Sequence, residues 1–350
     1  MSNPVRTYFR QLAEGRKNGL LSHALHPMLE VAGHVYGGAV GLMRSCYEKK
    51  WLPRTRFPYP VISVGNLTWG GTGKTPFVEY LARKMGERRK NVLVLTRGYS
   101  HDEVEQFRHH LPHAIIGVGS DRRRVAEKLS RETKIDVAIL DDGLQHWPIE
   151  RDVEIITINA LNPFGNEKLI PRGTLREPLS ILKKASVIVL SHVNLVSPAE
   201  LQKLKERLHT IAPECFLVES YLEPLFLYRA KKRSRLSMDR LKNQRVATFS
   251  GVGAPRSFQL LLSRFHIKPV RNFEFEDHHV FSNSELQEIK QVSESATVDE
   301  IITTEKDFYR SRDAITNILN PLVLAARMRI SSGEEILTER LFRLVGVSNG

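Results

Sequence analysis

Four groups of side chains in this sequence have the types and spacing to act together on a phosphate. The first is Lys74-Thr75, which follows a glycine-rich turn containing Gly70, Gly71 and Gly73. Glycines let backbone N–H groups turn inward on an anion, a following lysine reaches the β- and γ-phosphates, and the next hydroxyl meets Mg²⁺. The second is the adjacent pair Asp141-Asp142 at the end of an apolar run. Neighbouring carboxylates repel unless a cation lies between them, and an Asp at such a strand end holds Mg²⁺ directly or through water. The third is Asp277-His278-His279. These histidines could bind a metal, but no further His or Cys stands at ligand spacing, which favours acid–base or orienting work. The fourth is Asp102-Glu103, two possible bases in what reads as a polar loop or a solvated turn. Arg97, just past a strand, could meet phosphate or simply be exposed, and Arg172, Arg176 and Glu177 share a Pro- and Gly-rich loop at 169–178.

The elements that must position these groups are legible from periodicity. Residues 61–64 form an apolar run read as a buried strand, and Phe77, Val78, Tyr80, Leu81 and Met85 mark one face of a helix opened by Lys74 and Thr75. Strand, glycine turn and helix is a phosphate-loop layout in which the helix N-terminus adds a favourable dipole, and Pro76 is tolerated in the first turn. Thr68 stands where the usual pattern has its first glycine; Thr68, Trp69, Gly70, Gly71, Thr72, Gly73, Lys74 and Thr75 are the expected phosphate-binding residues. Further strands are expected at 91–96, 114–118, 135–142, 154–159 and 185–190, with helices at 121–132 and near 179–184. This alternation predicts an α/β fold: a phosphate-loop NTPase core with a mostly parallel sheet covered on both faces. After residue 213 come expected strands at 216–221 and 224–228, a basic connector at 231–245, a strand and glycine turn at 246–253, a helix at 255–265 and a strand near 301. They predict a smaller C-terminal α/β domain. The lone G-x-G at 251–253 is weak evidence for a nucleotide site.

A chain of 350 residues, 41% hydrophobic and 26% charged, is globular in composition and long enough for two domains of about 150 residues each. The expected division is 1–52, 53–213 and 214–350. A net charge of +13, with basic runs at 88–90, 122–124 and 231–233, suits nucleic acid, a phosphorylated substrate or an anionic membrane, or else a solvated surface. Two cysteines, Cys46 and Cys215, offer neither a metal pattern nor a disulfide framework. No signal peptide is evident, and no apolar run reaches about 18 residues, so no transmembrane helix is expected. Residues 1–19 are polar and basic, a helix or a loose end. Residues 20–52 carry apolar side chains at roughly helical spacing, with basic residues and Trp51 at the C-terminal end. They read as an amphipathic segment in a membrane interface or as a helix packed on the body of the protein. Gly37, Gly38 and Gly41 weaken them as one continuous helix.

Seven motifs stand in one order: GNLTWGGTGKTP at 65–76, RGY at 97–99, DDGLQH at 141–146, GTLREP at 173–178, FSGVGAPRSF at 249–258, FEDHHVF at 275–281 and TTEKD at 303–307. The ordered set resembles the tetraacyldisaccharide 4'-kinase family, the lipid A 4'-kinases of Gram-negative bacteria, from about residue 20 to 330. Thr68 is that family's own form of the loop. The resemblance implies transfer of the ATP γ-phosphate to the 4'-hydroxyl of tetraacyldisaccharide 1-phosphate, giving lipid IVA. It implies Mg²⁺, with Thr75, Asp141 and Asp142 as ligands. It also implies a peripheral place on the cytoplasmic face of the bacterial inner membrane, through the N-terminal segment, with the C-terminal unit closing over the site. Arg97, Tyr99, Gln145, Arg172, Arg176 and Glu177 become candidates for substrate or transition-state contacts. His278 matches the family's histidine, which pairs with an Asp to activate the sugar hydroxyl. The family carries Gly-Asp-Glu-Pro behind a substantial insert after its RGY, whereas here His101-Asp-Glu-Val104 follows Tyr99 almost directly. Asp102 is therefore aligned with the base across a deleted insert; Glu103, or His278 acting alone, is the alternative. Arg172 also stands where the family more often has a small residue.

Two other readings differ in class. A phosphate-loop kinase of a soluble metabolite would leave the apolar N-terminal segment without a use. A nucleic-acid-binding ATPase would use the positive charge, but no binding module or interleaved aromatic-basic motif is recognisable, so no nucleic-acid partner is expected.

Overall fold

The apolar runs become strands of one sheet. The structure is a computed structural model and describes residue 8 and residues 12–14, 20–98, 101–232, 234–253 and 255–346. Tyr99, Arg233, Ala254 and most of residues 1–19 lie outside the described residues, so the expectations placed on them have no structural counterpart here. Strand β1 (Val61–Asn66) is buried throughout and leads through the glycine turn into α2 (Lys74–Glu87); the helix α1 (Leu20–Glu48) precedes both. β1 pairs in parallel with β4 (Val137–Asp141) on one side and β5 (Val153–Asn159) on the other. Beyond β4 lie β2 (Val92–Thr96) and β3 (Ile115–Val118); beyond β5 lie β6 (Val187–Ser191) and β7 (Phe216–Arg229), all parallel. The strand order turns at β1, and the crevice beyond the carboxyl ends of such strands is where α/β sheets bind ligands.

The sheet does not stop at residue 213. β7 runs on for 14 residues and pairs antiparallel with β12 (Leu322–Ser332). β12 is followed by β11 (Glu300–Thr304), β9 (Val246–Ser250) and β10 (Arg271–Glu274), parallel to one another, while the short β8 (Arg235–Leu236) pairs with β7. Twelve strands among the described residues thus form one continuous sheet, two parallel halves joined at the β7–β12 ladder. The strands expected at 216–221 and 224–228 are one strand. Pro224, which cannot donate to a ladder, is absorbed at a register shift opposite Ala325 and Ala326.

Two other local expectations change. Residues 101–110 form helix α3 (His101–His110) rather than a polar loop. Val104, Phe107 and Leu111 recur on one face and are buried, which fixes the helix through packing despite its polar opening. Residues 20–48 form one helix in spite of their glycines. A Cβ at Gly37 would collide with the Leu169 side chain, so a residue that weakens the isolated helix is what lets it close on the 169–172 loop. The expected helix near 179 is a single 3₁₀ stretch (Leu179–Lys184).

The halves are also joined by charge. His110 Nδ1 lies 3.0 Å from Glu79 Oε2 on α2, and its Nε2 lies 3.5 Å from Glu305 Oε1. Glu305 opens the helix Glu305–Arg310 of the C-terminal half. Arg83 Nη1 stands 3.8 Å from the same Glu79 carboxylate, and Gln106 donates to it at 2.8 Å. Burial opposes a charged imidazole, but hydrogen bonds to Glu305 and Glu79 outweigh it and lift His110 to about 10. Its folded value is raised, so its contribution to stability is full below the unfolded value near 6.5 and is lost as pH climbs through about 10. His110→Leu is therefore expected to cost about 3 kcal/mol at pH 6, the scale of a broken buried pair. Urea unfolding at pH 6 and pH 10 checks this; a deficit that does not shrink at pH 10 would assign the effect to packing instead.

Candidate active site

The glycine turn sits at the carboxyl end of β1 and is held from behind by neighbouring strand ends. Asn159 Nδ2 donates to the Gly71 carbonyl at 3.0 Å, Ser191 Oγ donates to the Thr72 carbonyl at 3.0 Å, and the Thr72 and Thr157 hydroxyls meet at 3.0 Å. Gly70 and Gly73 have φ of 95° and 82°, a region that side chains disfavour. Lys74 and Thr75 then begin α2.

The two carboxylates expected at the end of β4 are both there, in different environments. Asp141 is buried; Thr96 Oγ1 donates to its Oδ2 at 3.2 Å, while Oδ1 has no hydrogen-bond partner among the described residues. Burial and the nearby Glu103 carboxylate push it up to about 7, against the pull of Lys74. Asp142 has φ 52° and Oδ1 lies 2.6 Å from Arg176 Nη1 and 3.9 Å from Lys74 Nζ. Burial would raise its pKa, but Lys74 and Arg176 outweigh burial and hold it at about 2. Arg122 donates from below to the Asp141 and Asp142 carbonyls at 2.5 and 3.1 Å. An orphaned buried carboxylate oxygen, an ionised neighbour and the Thr75 hydroxyl are hard oxygen donors of the kind a small divalent cation takes. Among the described residues no cluster of three or more His, Cys, Asp and Glu side chains forms a closed metal cage.

The Asp102-Glu103 pair, carried on the first turn of α3, divides between two tasks. Asp102 is fully buried, and its Oδ2 accepts from Arg310 Nε at 3.0 Å and from Nη2 at 2.5 Å. His278 Nδ1 approaches the same oxygen at 4.0 Å. Glu103 Oε1 instead accepts from the Thr75 hydroxyl at 3.5 Å and faces Lys306 Nζ at 3.6 Å. Lys306 also lies 3.4 Å from Asp277 Oδ1. His278, with φ 63°, is held below its ordinary value by burial and then by the Lys306 charge, opposed by Asp277, Glu103 and Asp102. At neutral pH its imidazole is uncharged and can accept a proton.

One cleft of 360 Å³ lies among these groups. The loop from Trp69 to Thr75, Asp142 and Arg176 form one wall; Glu103, Asp277, His278 and Lys306 face it. Leu195, Leu222, Leu261, Leu324 and Ala326 add apolar lining to the cleft. The C-terminal half touches the loop directly, since a Cβ at Gly253 would collide with the Gly71 amide.

Other expected residues lie away from this cleft. Gln145 Nε2 donates at 3.2 Å to Tyr36 Oη, the Arg176 carbonyl and Glu177 Oε1. Glu177 is fully buried and pairs with Arg44 of α1, while the Tyr36 hydroxyl donates to the Arg176 carbonyl at 3.1 Å. Arg172 lies 3.6 Å from Glu30 of α1, which also binds Lys168 at 2.7 Å. Gln145, Arg172 and Glu177 thus seat α1 on the core, and Arg176 connects that seat to Asp142. Arg97 is exposed just past β2.

Arg310, Lys306 and the Asn159–Ser191 support stand outside the site residues expected from the sequence. The TTEKD motif carried Lys306, but nothing in its spacing places it beside Glu103. Arg310 lies one helical turn beyond Asp307, a spacing shared by many surface arginines; it gave no signal.

The chain matches the family model described as tetraacyldisaccharide-1-P 4'-kinase over residues 25–109 and 102–345. It is 33% identical to the probable mitochondrial tetraacyldisaccharide 4'-kinase of Arabidopsis thaliana, covering 89% of this chain and 88% of that one. It is 32% identical to the tetraacyldisaccharide 4'-kinase of Halothermothrix orenii, covering 91% and 92%. The crystal structure of LpxK from Aquifex aeolicus in complex with ATP superposes with a TM-score of 0.69 at 25% identity, covering 93% of this chain and all of the other.

Proposed function

We propose, for a chain that belongs to the tetraacyldisaccharide 4'-kinase family, an ATP-dependent transfer of the γ-phosphate to the 4'-hydroxyl of tetraacyldisaccharide 1-phosphate, forming lipid IVA. The observation that carries this reading is one cleft lined by both the phosphate loop and His278, with the buried Asp102 carboxylate 4.0 Å from the His278 ring. Phosphoryl transfer asks chiefly for positioning and charge stabilisation. The loop amides and Lys74 hold the phosphates, and the apolar lining of Leu195, Leu222 and Leu261 suits the base of ATP. Thr75, Asp141 and Asp142 would hold Mg²⁺, which when bound neutralises charge on the β- and γ-oxygens. Arg176 keeps Asp142 ionised and in place.

Asp102 and His278 form the base. Arg310 grips one Asp102 oxygen through two donors, fixing the carboxylate beside the imidazole. The 4.0 Å separation of His278 and Asp102 is one that can tighten when the acceptor sugar arrives. The neutral ring, oriented by Asp102, takes the proton of the 4'-hydroxyl as its oxygen attacks phosphorus. Glu103 serves the nucleotide side, through Thr75.

The acceptor's acyl chains require an apolar interface, and α1 supplies one. Met28, Val31, Val35 and Leu42 are each more than 60% exposed on its outer side, whereas Leu29 and Val40 are buried on the inner side. Among the described residues no helix is long and apolar enough to cross a membrane. In this reading the exposed face of α1 holds the protein peripherally at the cytoplasmic face of the inner membrane, with its positive charge drawing anionic lipid and the substrate's 1-phosphate.

A mixed-micelle assay with Mg-ATP and tetraacyldisaccharide 1-phosphate tests the activity; a folded, ATP-binding wild type that makes no product would refute it. Val31→Glu with Val35→Glu is expected to weaken partition onto anionic vesicles at least about tenfold and to raise KM for the lipid, since two exposed valines that would enter the interface are replaced by two charges. KM for ATP should stay within about twofold. Unchanged vesicle binding would mean that α1 does not enter the interface.

A further inference from the structure

Lys306 stands where the two halves of the chemistry meet. Glu103 Oε1 is shared between the Thr75 hydroxyl at 3.5 Å and the Lys306 ammonium at 3.6 Å. On its other side Lys306 faces Asp277, the residue before His278, at 3.4 Å. The ammonium thus lies between the nucleotide side of the cleft and the base. Both contacts are longer than a tight charge-assisted hydrogen bond, so the side chain is loosely held.

The other cations around the cleft are committed. Arg310 spends its donors on Asp102, Asp307 and the Gly251 and His279 carbonyls. Arg176 is bound to Asp142 and Asn66, and Lys74 approaches the phosphates from the loop, beside Asp142. Facing the loop, the cleft carries Glu103 and Asp277, an excess of negative charge that disfavours a triphosphate unless a cation screens it. Burial works against the Lys306 charge, yet the Asp277, Glu103 and Asp102 carboxylates outweigh it and raise its pKa, so the ammonium stays charged.

We propose that Lys306 is a catalytic residue: its ammonium, parked between Glu103 and Asp277, moves onto the transferring phosphoryl group and carries its charge through the transition state. This rests on the kinase reading above. The bond from phosphorus to the β,γ-bridging oxygen breaks and the electron pair leaves with ADP. The bond from the 4'-oxygen to phosphorus forms, and the hydroxyl proton passes to the His278–Asp102 pair. Lys306 keeps its protons and supplies charge alone, as a cation delivered in cis from the C-terminal half.

The test uses the full chain in mixed micelles with Mg-ATP and tetraacyldisaccharide 1-phosphate. Lys306→Met is expected to lower kcat about 100-fold or more, the scale of removing one preorganised transition-state donor, with both KM values within threefold. ADP affinity should be unchanged, and Lys306→Arg should regain part of kcat. The double variant Lys306→Met, Asp277→Asn separates this from simple neutralisation of Asp277: it should remain slow. A kcat within threefold of wild type for Lys306→Met, recovery in the double variant, or loss of kcat together with ADP affinity would each overturn the assignment. Those outcomes leave the kinase reading intact, whereas absence of product from the wild type would overturn both.

Discussion

Asp102→Asn should lower kcat for 4'-phosphorylation by about 10³-fold, within the range of a lost general base, while KM for ATP and lipid changes less than about threefold. Asparagine keeps the shape of a fully buried side chain, and Asp307 still faces Arg310 at 3.1 Å, so the guanidinium does not lose its whole countercharge. What is lost is the negative charge that orients the His278 ring and favours its protonated form. Asp102 is one of three carboxylates that raise the His278 pKa against burial and Lys306. With the charge removed, that pKa falls further, so the acid limb of kcat/KM should move to lower pH as the rate drops. Steady-state kinetics from pH 5 to 9 read both effects. A variant near the wild-type rate would return the base to Glu103 or to His278 alone, and His278→Ala would then separate the two.

The phosphate loop and the acid pair were legible because their signals are local. A strand, a glycine turn and Lys74-Thr75 lie within one stretch, and Asp141-Asp142 ends an apolar run that can only be a buried strand. The mostly parallel sheet followed from the same alternation. The union of both halves in one sheet did not, because it depends on β7 continuing through Pro224, and a proline within an apolar stretch ordinarily marks an end. The helix under Asp102 was hidden for a similar reason: its opening residues are polar, and its pattern emerges only once Phe107 and Leu111 are included. The seat of α1 was illegible altogether. Gln145, Glu177, Tyr36 and Arg44 lie in separate parts of the chain, and only the fold brings them together. That seat has a consequence for the site. Arg176 binds α1 through its backbone and Asp142 through its side chain, so the lipid-facing helix and the nucleotide carboxylate share one residue.

Lys74→Ala should reduce kcat/KM for ATP by about 10³-fold or more without unfolding the loop. The loop is braced by Asn159, Ser191 and Thr157 through Gly71 and Thr72 rather than through the lysine side chain, so its backbone cradle survives the truncation. The loss is electrostatic. Lys74 is the cation of the loop itself, and with Arg176 it keeps Asp142 ionised against burial. Without it, Asp142 is left to Arg176 at 2.6 Å and to the more distant charge of Arg122, and the γ-phosphate must enter beside a carboxylate that has lost one of its screening cations. Lys74→Arg should remain slow, because a planar guanidinium cannot occupy the place of a compact ammonium between two phosphates. Trp69 lines the same cleft and is 37% exposed, which makes its fluorescence a direct reporter of nucleotide binding in each variant. Weakened ATP binding in Lys74→Ala together with urea stability within about 1 kcal/mol of wild type would place the deficit in charge. A kcat/KM within tenfold of wild type would mean that the phosphates are held by the loop amides and the C-terminal half, with Lys306 taking the larger share of the charge.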